Sequence, residues 1–126
     1  MPSSVKEMMQ AANAAVPRLA PAEVSQAIKA GDAVLLDVRD EGEVRQSGKL
    51  KGALWVSRGM LEFRADPELP SHNPRLQKDR KVIVYCASGG RSALAGKTLK
   101  DLGYRSVFNG GGFRELAESG IEIESA

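Results

Sequence analysis

The chain has 126 residues, with 18 basic and 16 acidic side chains and a net charge of +2. That length gives one domain, able to bury roughly two-thirds of the surface its unfolded chain exposes without disulfides or a structural metal. The near-balanced charge excludes a polycation that coats nucleic acid, and the single cysteine, Cys86, excludes an internal bridge or a cysteine-rich zinc site.

No basic stretch followed by an apolar one opens the chain, and its longest apolar run, Val82 to Ala87, falls far short of the ~20 residues of a membrane span. We expect a soluble, cytoplasmic protein with a reduced thiol and with no nucleic-acid or membrane partner. Ser4 and Glu7 stand in a capping-box relation, and Val5, Met8, Met9, Ala12 and Val16 recur at helical spacing until Pro17. The first element is therefore an amphipathic helix, its methionines read as core filling. Pro21 suits a first helical position, Val24, Ala27 and Ile28 form one apolar face, and Gly31 is a stop. A second helix follows over about residues 21–30.

The segment 33–38 is apolar on both strand faces, as in a parallel strand covered on each side, with polar Asp37 near its end. Residues 53–55 are a short candidate strand, and the segment 66–80, with Pro67, Pro70 and Pro74, reads as an ordered surface excursion. Residues 82–85 repeat the β-branched pattern and lead into Cys86. Residues 91–102 form the clearest helix, with Leu94, Ala95, Thr98, Leu99 and Leu102 on one face and Gly103 as its stop. A last strand is expected at 106–108, before Asn109-Gly110-Gly111-Gly112. This alternation predicts an α/β fold, a small central parallel β-sheet flanked by helices on both faces.

Ligands of such sheets gather outside the carboxyl ends of the strands, where Asp37 and Cys86 both fall. Cys86-Ala87-Ser88-Gly89-Gly90-Arg91-Ser92 runs from a strand end through two glycines into a helix. Glycines let successive N–H groups turn inward, and the helix adds its positive end, so the loop should cradle an anion. A cysteine at its base, acidified by the dipole and by Arg91, is a candidate thiolate nucleophile. A nucleotide P-loop does not fit, because no Lys-Ser or Lys-Thr follows these glycines and Lys97-Thr98 lies inside the predicted helix. The run Gly110 to Gly112 opens no dinucleotide-binding unit and is read as close backbone approach beside the cysteine loop. His72 is read as a solvated loop residue, and Trp55 and Phe63 as core. One histidine and one cysteine are too few for a metal site.

Five segments occur in a telling order: Leu35-Leu36-Asp37-Val38-Arg39 with Glu43; Gly48-Lys49-Leu50-Lys51-Gly52-Ala53; the cysteine loop; Gly103-Tyr104; and Gly110-Gly111-Gly112-Phe113. In these the chain resembles the rhodanese (thiosulfate sulfurtransferase-like) family from about residue 18 onward. The resemblance divides the chain into an N-terminal amphipathic helix, 1–17, and a rhodanese-like domain, 18–126. It departs at Lys49, where family members usually have histidine, and beyond the glycine run, where they usually have tryptophan.

The resemblance implies that Cys86 takes a sulfane sulfur from a small donor such as thiosulfate, holds it as a persulfide, and passes it to cyanide or a thiol, protein thiols included. Ala87, Ser88, Gly89, Gly90, Arg91 and Ser92 would bind the anion, with Arg91 neutralising the donor's sulfonate. Asp37, paired to an arginine near the loop, would position, and Arg39 and Arg58 would add cations at the same edge. Neither a cofactor nor a metal is implied. Two rivals are a cysteine phosphatase and a non-enzymatic binding or regulatory module. Phosphatase loops place five residues between cysteine and arginine where four stand here, and inactive modules usually lack the cysteine that this chain keeps. Oligomeric state is open, with the N-terminal helix as the place for a dimer contact.

Overall fold

A computed structural model describes residues 3–126. Ser4 caps helix α1 (Val5–Ala15), its hydroxyl accepting the Glu7 N–H at 3.1 Å. Helix α2 (Pro21–Ala30) begins on proline and stops at Gly31, whose φ of +72° favours glycine. Strand β1 (Ala33–Asp37) leads to α3 (Glu41–Ser47), where the Glu43 carboxylate accepts the Asp40 N–H at 3.0 Å. Next come β2 (Lys49–Leu50), β3 (Leu54–Trp55), a 3-10 turn (Arg58–Met60) and α4 (Leu61–Ala65). The remaining elements are β4 (Lys81–Cys86), α5 (Gly90–Asp101), β5 (Ser106–Gly112), α6 (Phe113–Glu118) and β6 (Ile123–Glu124).

Four parallel strands form the central sheet in the order β3-β1-β4-β5. Residues 17–19 lie along the outer edge of β5: Leu19 N–H donates to the Asn109 carbonyl and Asn109 N–H to the Pro17 carbonyl, both at 2.9 Å. Alternation along the strands sends Leu36, Val82, Val84 and Cys86 to one face, packed with Val16, Leu61, Ala95 and Leu99. It sends Leu35, Ile83 and Tyr85 to the other, packed with Val24 of α2 and Phe113 and Leu116 of α6. Both faces are covered, which is why the strands are apolar throughout.

Helix α1 is part of this core and not an appendage to it. Ala12 and Val16 are buried, and Gly96 of α5 lets Val16 approach so closely that a Cβ at 96 would lie 2.9 Å from it. The core reading of the methionines fails for Met8, which is exposed together with Val5, because the buried positions of this segment, Ala12 and Val16, lie at its C-terminal end. The buried side of α5 is Ser92, Ala93, Ala95, Gly96 and Leu99, rotated from the expected face so that small residues meet α1 and the sheet. Strand β5 does not stop at residue 108: it continues through the glycines, with a bulge opposite Val84/Tyr85.

The excursion 66–80 is pinned at several points. Leu76 is fully buried, Asn73 N–H donates to the Arg64 carbonyl at 2.8 Å, the Ser71 hydroxyl to the Phe63 carbonyl at 2.8 Å and Arg105 N–H to the Lys78 carbonyl at 3.0 Å, while within the excursion His72 donates through Nε2 to the Leu76 carbonyl at 2.7 Å. Phe63, expected in the core, is half exposed on α4. Strands β2 and β6 form an antiparallel ribbon, and Lys49 closes its turn by donating to the Ala53 carbonyl at 2.8 Å and pairing with Glu124 at 2.9 Å.

Candidate active site

Strand β4 delivers Cys86 to the edge of the sheet, and the chain then curls back through Ala87 and Ser88 to Gly89, whose φ of +107° turns it into α5. The curl aims two N–H donors at the sulfur, Gly89 at 3.0 Å and Ser92 at 3.4 Å from Sγ, and sets the Ser92 Oγ 3.4 Å from it. Cys86 itself is buried and unpaired. Burial pushes its thiol up, but the Ser92 hydroxyl and the N–H groups of Ser92, Gly89 and Ser88 together outweigh it and hold the thiol below its ordinary value.

The glycines of β5 make this loop possible. A Cβ on Gly112 would sit 2.5 Å from the Ala87 carbonyl, so only glycine lets the strand end pass under the loop. Asn109 ties the loop to β5 and was not singled out in the sequence. Its Nδ2 donates to the Gly89 carbonyl at 3.0 Å, and its Oδ1 accepts the Ser92 hydroxyl at 2.7 Å and the Gly111 N–H at 2.9 Å. The available signal was a polar residue closing an apolar strand just before a glycine run.

Arg91 opens α5 beside the loop, but Glu43 of α3 holds it through two bonds, Nη1 at 2.7 Å and Nη2 at 2.9 Å, with Asp40 at 3.8 Å. The paired Arg91 holds the Glu43 carboxyl down at about 2. Since an unfolded glutamate titrates near about 4.3, this clamp stabilises the fold fully above that value and is lost as pH falls toward 2. Thermal midpoints should therefore fall more steeply below about pH 4.5 in the wild type than in Glu43→Gln. Equal slopes would mean that the clamp contributes nothing.

Asp37 and Arg39 are not brought to the loop. They form a buried pair, Nη2 to Oδ2 at 2.7 Å, on the Tyr85 and Phe113 face of the sheet, opposite to the face that carries Cys86. Arg39 also donates to the Ser47 hydroxyl at 2.8 Å and to the Gly48 carbonyl at 2.7 Å, so its charge is used in joining β1 to the α3–β2 turn. Trp55 closes the same corner by donating to the Arg39 carbonyl at 2.8 Å. Arg58 is not at the sulfur edge either. It bonds Glu62 and Thr98, each at 3.0 Å, and Thr98 lies roughly 12 Å along α5 from its start. His72 is bound within the excursion, to the Leu76 carbonyl, and no hydrogen bond among the described residues joins it to the loop.

A different cation lies over the loop. The Arg18 guanidinium fills the space where side chains at Gly89 and Gly111 would stand, its nitrogens 3.1 Å and 2.5 Å from those absent Cβ positions. Its partner Glu115 is 3.5 Å away and both side chains are half exposed. A groove of about 340 Å³ runs from there past Ala87, Ser88 and Gly112 to Arg114.

The family model of the rhodanese-like domain matches residues 20–119. The chain belongs to that family. The rhodanese-like domain is 36% identical over 93 residues to a sulfurtransferase of Allochromatium vinosum, covering 73% of this chain and 78% of that protein. It is 33% identical over 90 residues to a tRNA uridine(34) hydroxylase of Onion yellows phytoplasma, covering 71% of this chain but only 28% of that much longer protein. Among solved structures, it superposes on a protein of unknown function from Rhodopseudomonas palustris, described as a possible tyrosine phosphatase, with a TM-score of 0.88 at 40% identity, covering 98% and 99% of the two chains. It also superposes on the 30 kDa polysulfide-sulfur transferase homodimer of Wolinella succinogenes, with a TM-score of 0.74 at 33% identity over 96% of this chain and 87% of that one. No helix among the described residues is long and apolar enough to cross a membrane.

Proposed function

We propose that this rhodanese-like domain is a sulfurtransferase in which Cys86 carries the sulfur. The observation that supports this most directly is the buried sulfur at the focus of the inward-turned donors of Gly89 and Ser92. The Cys86 thiolate attacks the outer sulfur of a donor such as thiosulfate. An S–S bond forms, the S–SO₃ bond breaks, and sulfite leaves with the electron pair. An acceptor thiolate or cyanide then attacks the outer sulfur of the persulfide and returns the Cys86 thiolate. The loop N–H groups stabilise the negative charge at both stages. Intact mass after exposure to thiosulfate tests this reading, with one added sulfur as the expected result.

The phosphatase reading has one observation in its favour, the description of the Rhodopseudomonas palustris neighbour. Against it, four residues separate Cys86 from Arg91, no carboxylic acid stands in the loop to protonate a leaving group, and Glu43 occupies both terminal nitrogens of the arginine. Hydrolysis of an aryl phosphate that is lost in Cys86→Ala would favour the phosphatase. Retention of a cellular or binding role in the same variant would favour a scaffold.

Arg91 is engaged by Glu43 through both terminal nitrogens, and among the described residues the cations that line the groove beside the loop are Arg18, paired only loosely with Glu115 at 3.5 Å, and Arg114. Arg18→Ala is expected to lower kcat/KM for thiosulfate about five- to tenfold while leaving kcat/KM for cyanide unchanged. In ping-pong kinetics each of these constants reports only its own half-reaction, so a loss confined to the cyanide term would remove Arg18 from donor binding.

A further inference from the structure

Ser92 has one hydroxyl proton and two neighbours able to take it. Its Oγ lies 2.7 Å from Asn109 Oδ1 and 3.4 Å from Cys86 Sγ. The Asn109 amide cannot turn over to relieve this competition. The Gly111 N–H at 2.9 Å requires an oxygen on one side, and the Gly89 carbonyl at 3.0 Å requires an N–H on the other. Both Ser92 and Asn109 are buried, so water does not arbitrate, and no buried side-chain polar atom among the described residues lacks a partner.

We propose that Asn109 is a positioning residue that competes with the Cys86 sulfur for the Ser92 hydroxyl proton, so that this proton changes partner when Cys86 changes charge. While the sulfur is protonated, S–H donates to Ser92 Oγ and the hydroxyl donates to Asn109 Oδ1. When the sulfur loses its proton to solvent, the hydroxyl rotates about its C–O bond toward the anion, and no bond within Ser92 breaks. Two oxygens are then left facing each other at 2.7 Å, a cost set by Asn109. When sulfur is bound as a persulfide, the Cys86 sulfur is no longer the anion, and the proton returns to Asn109. The loop thus limits how far it stabilises the free thiolate, which keeps that thiolate nucleophilic. This last consequence rests on the sulfurtransferase reading; the proton competition does not.

Other charges around the sulfur belong to different contacts. Arg91 of α5 is held by Glu43 and Asp40 of α3, Arg18 pairs with Glu115 of α6, and Arg114 lies across the groove. None of them bonds to Ser92 or Asn109 among the described residues.

The test is the pH dependence of thiolate absorbance, with Cys86 alkylation rate as a second readout, in the wild type, Asn109→Ala, Ser92→Ala and the double variant. Neither readout needs a sulfur donor, so failure of sulfur transfer and failure of this proposal are separable. Removing Asn109 should lower the thiol's titration point by about half to one pH unit when Ser92 is present and leave it unchanged when residue 92 is alanine. An equal shift in both backgrounds, or an upward one, would overturn the proposal, since a loosened loop does not depend on the Ser92 hydroxyl. Should Asn109→Ala fail to fold, Ser92→Ala alone decides. An uncontested hydrogen bond to an anion is worth about one to two pH units, so a rise below one unit supports competition and a larger rise refutes it.

Discussion

Cys86→Ala is expected to abolish sulfur loading completely, where most single substitutions only slow a reaction. The loss is total because the residue supplies the atom that forms the new bond. The donors of Gly89 and Ser92, left intact, have no sulfur to stabilise. Wild-type protein incubated with thiosulfate should gain the mass of one sulfur atom and lose it again on adding cyanide or a thiol. The alanine variant should gain nothing at any concentration. It should remain folded, since Cys86 bonds only to loop donors and the change removes a single buried sulfur, at a cost of about 1–2 kcal/mol. Sulfur gained by the alanine variant would place the reaction elsewhere in the chain. Sulfur gained by neither protein would remove the transferase reading and leave the loop as a structural device.

The largest loss of stability is expected at Arg39, which sequence order placed near the thiol and which the fold uses on the opposite face. Its guanidinium makes three contacts to Asp37, at 3.0, 3.1 and 2.7 Å, reaches Ser47 and the Gly48 carbonyl, and lies 4.1 Å from the centre of the Phe113 ring. Arg39→Ala leaves the buried Asp37 carboxylate without its cation, with only neutral partners, the N–H of residue 39 at 3.0 Å and the neighbouring Tyr85 hydroxyl. Breaking a buried pair in this way costs about 3–5 kcal/mol, a large part of the 5–15 kcal/mol that holds such a domain together. A fall of about 10–20 °C in the thermal midpoint should follow. Protein that is still folded at low temperature should load sulfur normally, because the pair faces away from Cys86. A loss of less than about 1 kcal/mol in urea unfolding would show that the pair is not stabilising in the way its burial implies.

The parallel sheet was legible because β1 and β4 are apolar on both faces, a pattern that only a doubly covered strand requires. The cysteine loop was legible for a local reason: strand end, thiol, glycine pair and arginine are contiguous. What escaped was long-range or lacked a side chain to show it. The glycines that extend β5 carry no hydrophobic signal, and the bulge opposite Val84/Tyr85 breaks the register that alternation would follow. The β2–β6 ribbon joins two-residue strands from distant parts of the chain, too short to have a period. The choice of Asp37 by Arg39, and of Glu43 by Arg91, is made by tertiary packing, so sequence listed the right charges and misplaced their partners. Arg18 and Asn109 reach the loop from a neighbouring edge and strand, with no motif to mark them.

The short stretch 17–19 that runs beside Asn109 has a consequence for how this molecule behaves among its own copies. Unpaired strand edges act as templates on which other chains add, and they are a common origin of aggregates. Here one rim of the sheet is β3, only two residues long, and the other is covered around Asn109 by the Pro17 carbonyl and the Leu19 N–H. A fragment trimmed to residues 20–119, the span of the family match, would strip that cover from β5 and offer its backbone to a neighbour. The residues just outside the span of the family match therefore occupy the backbone N–H and carbonyl of Asn109 that β5 would otherwise present at its rim.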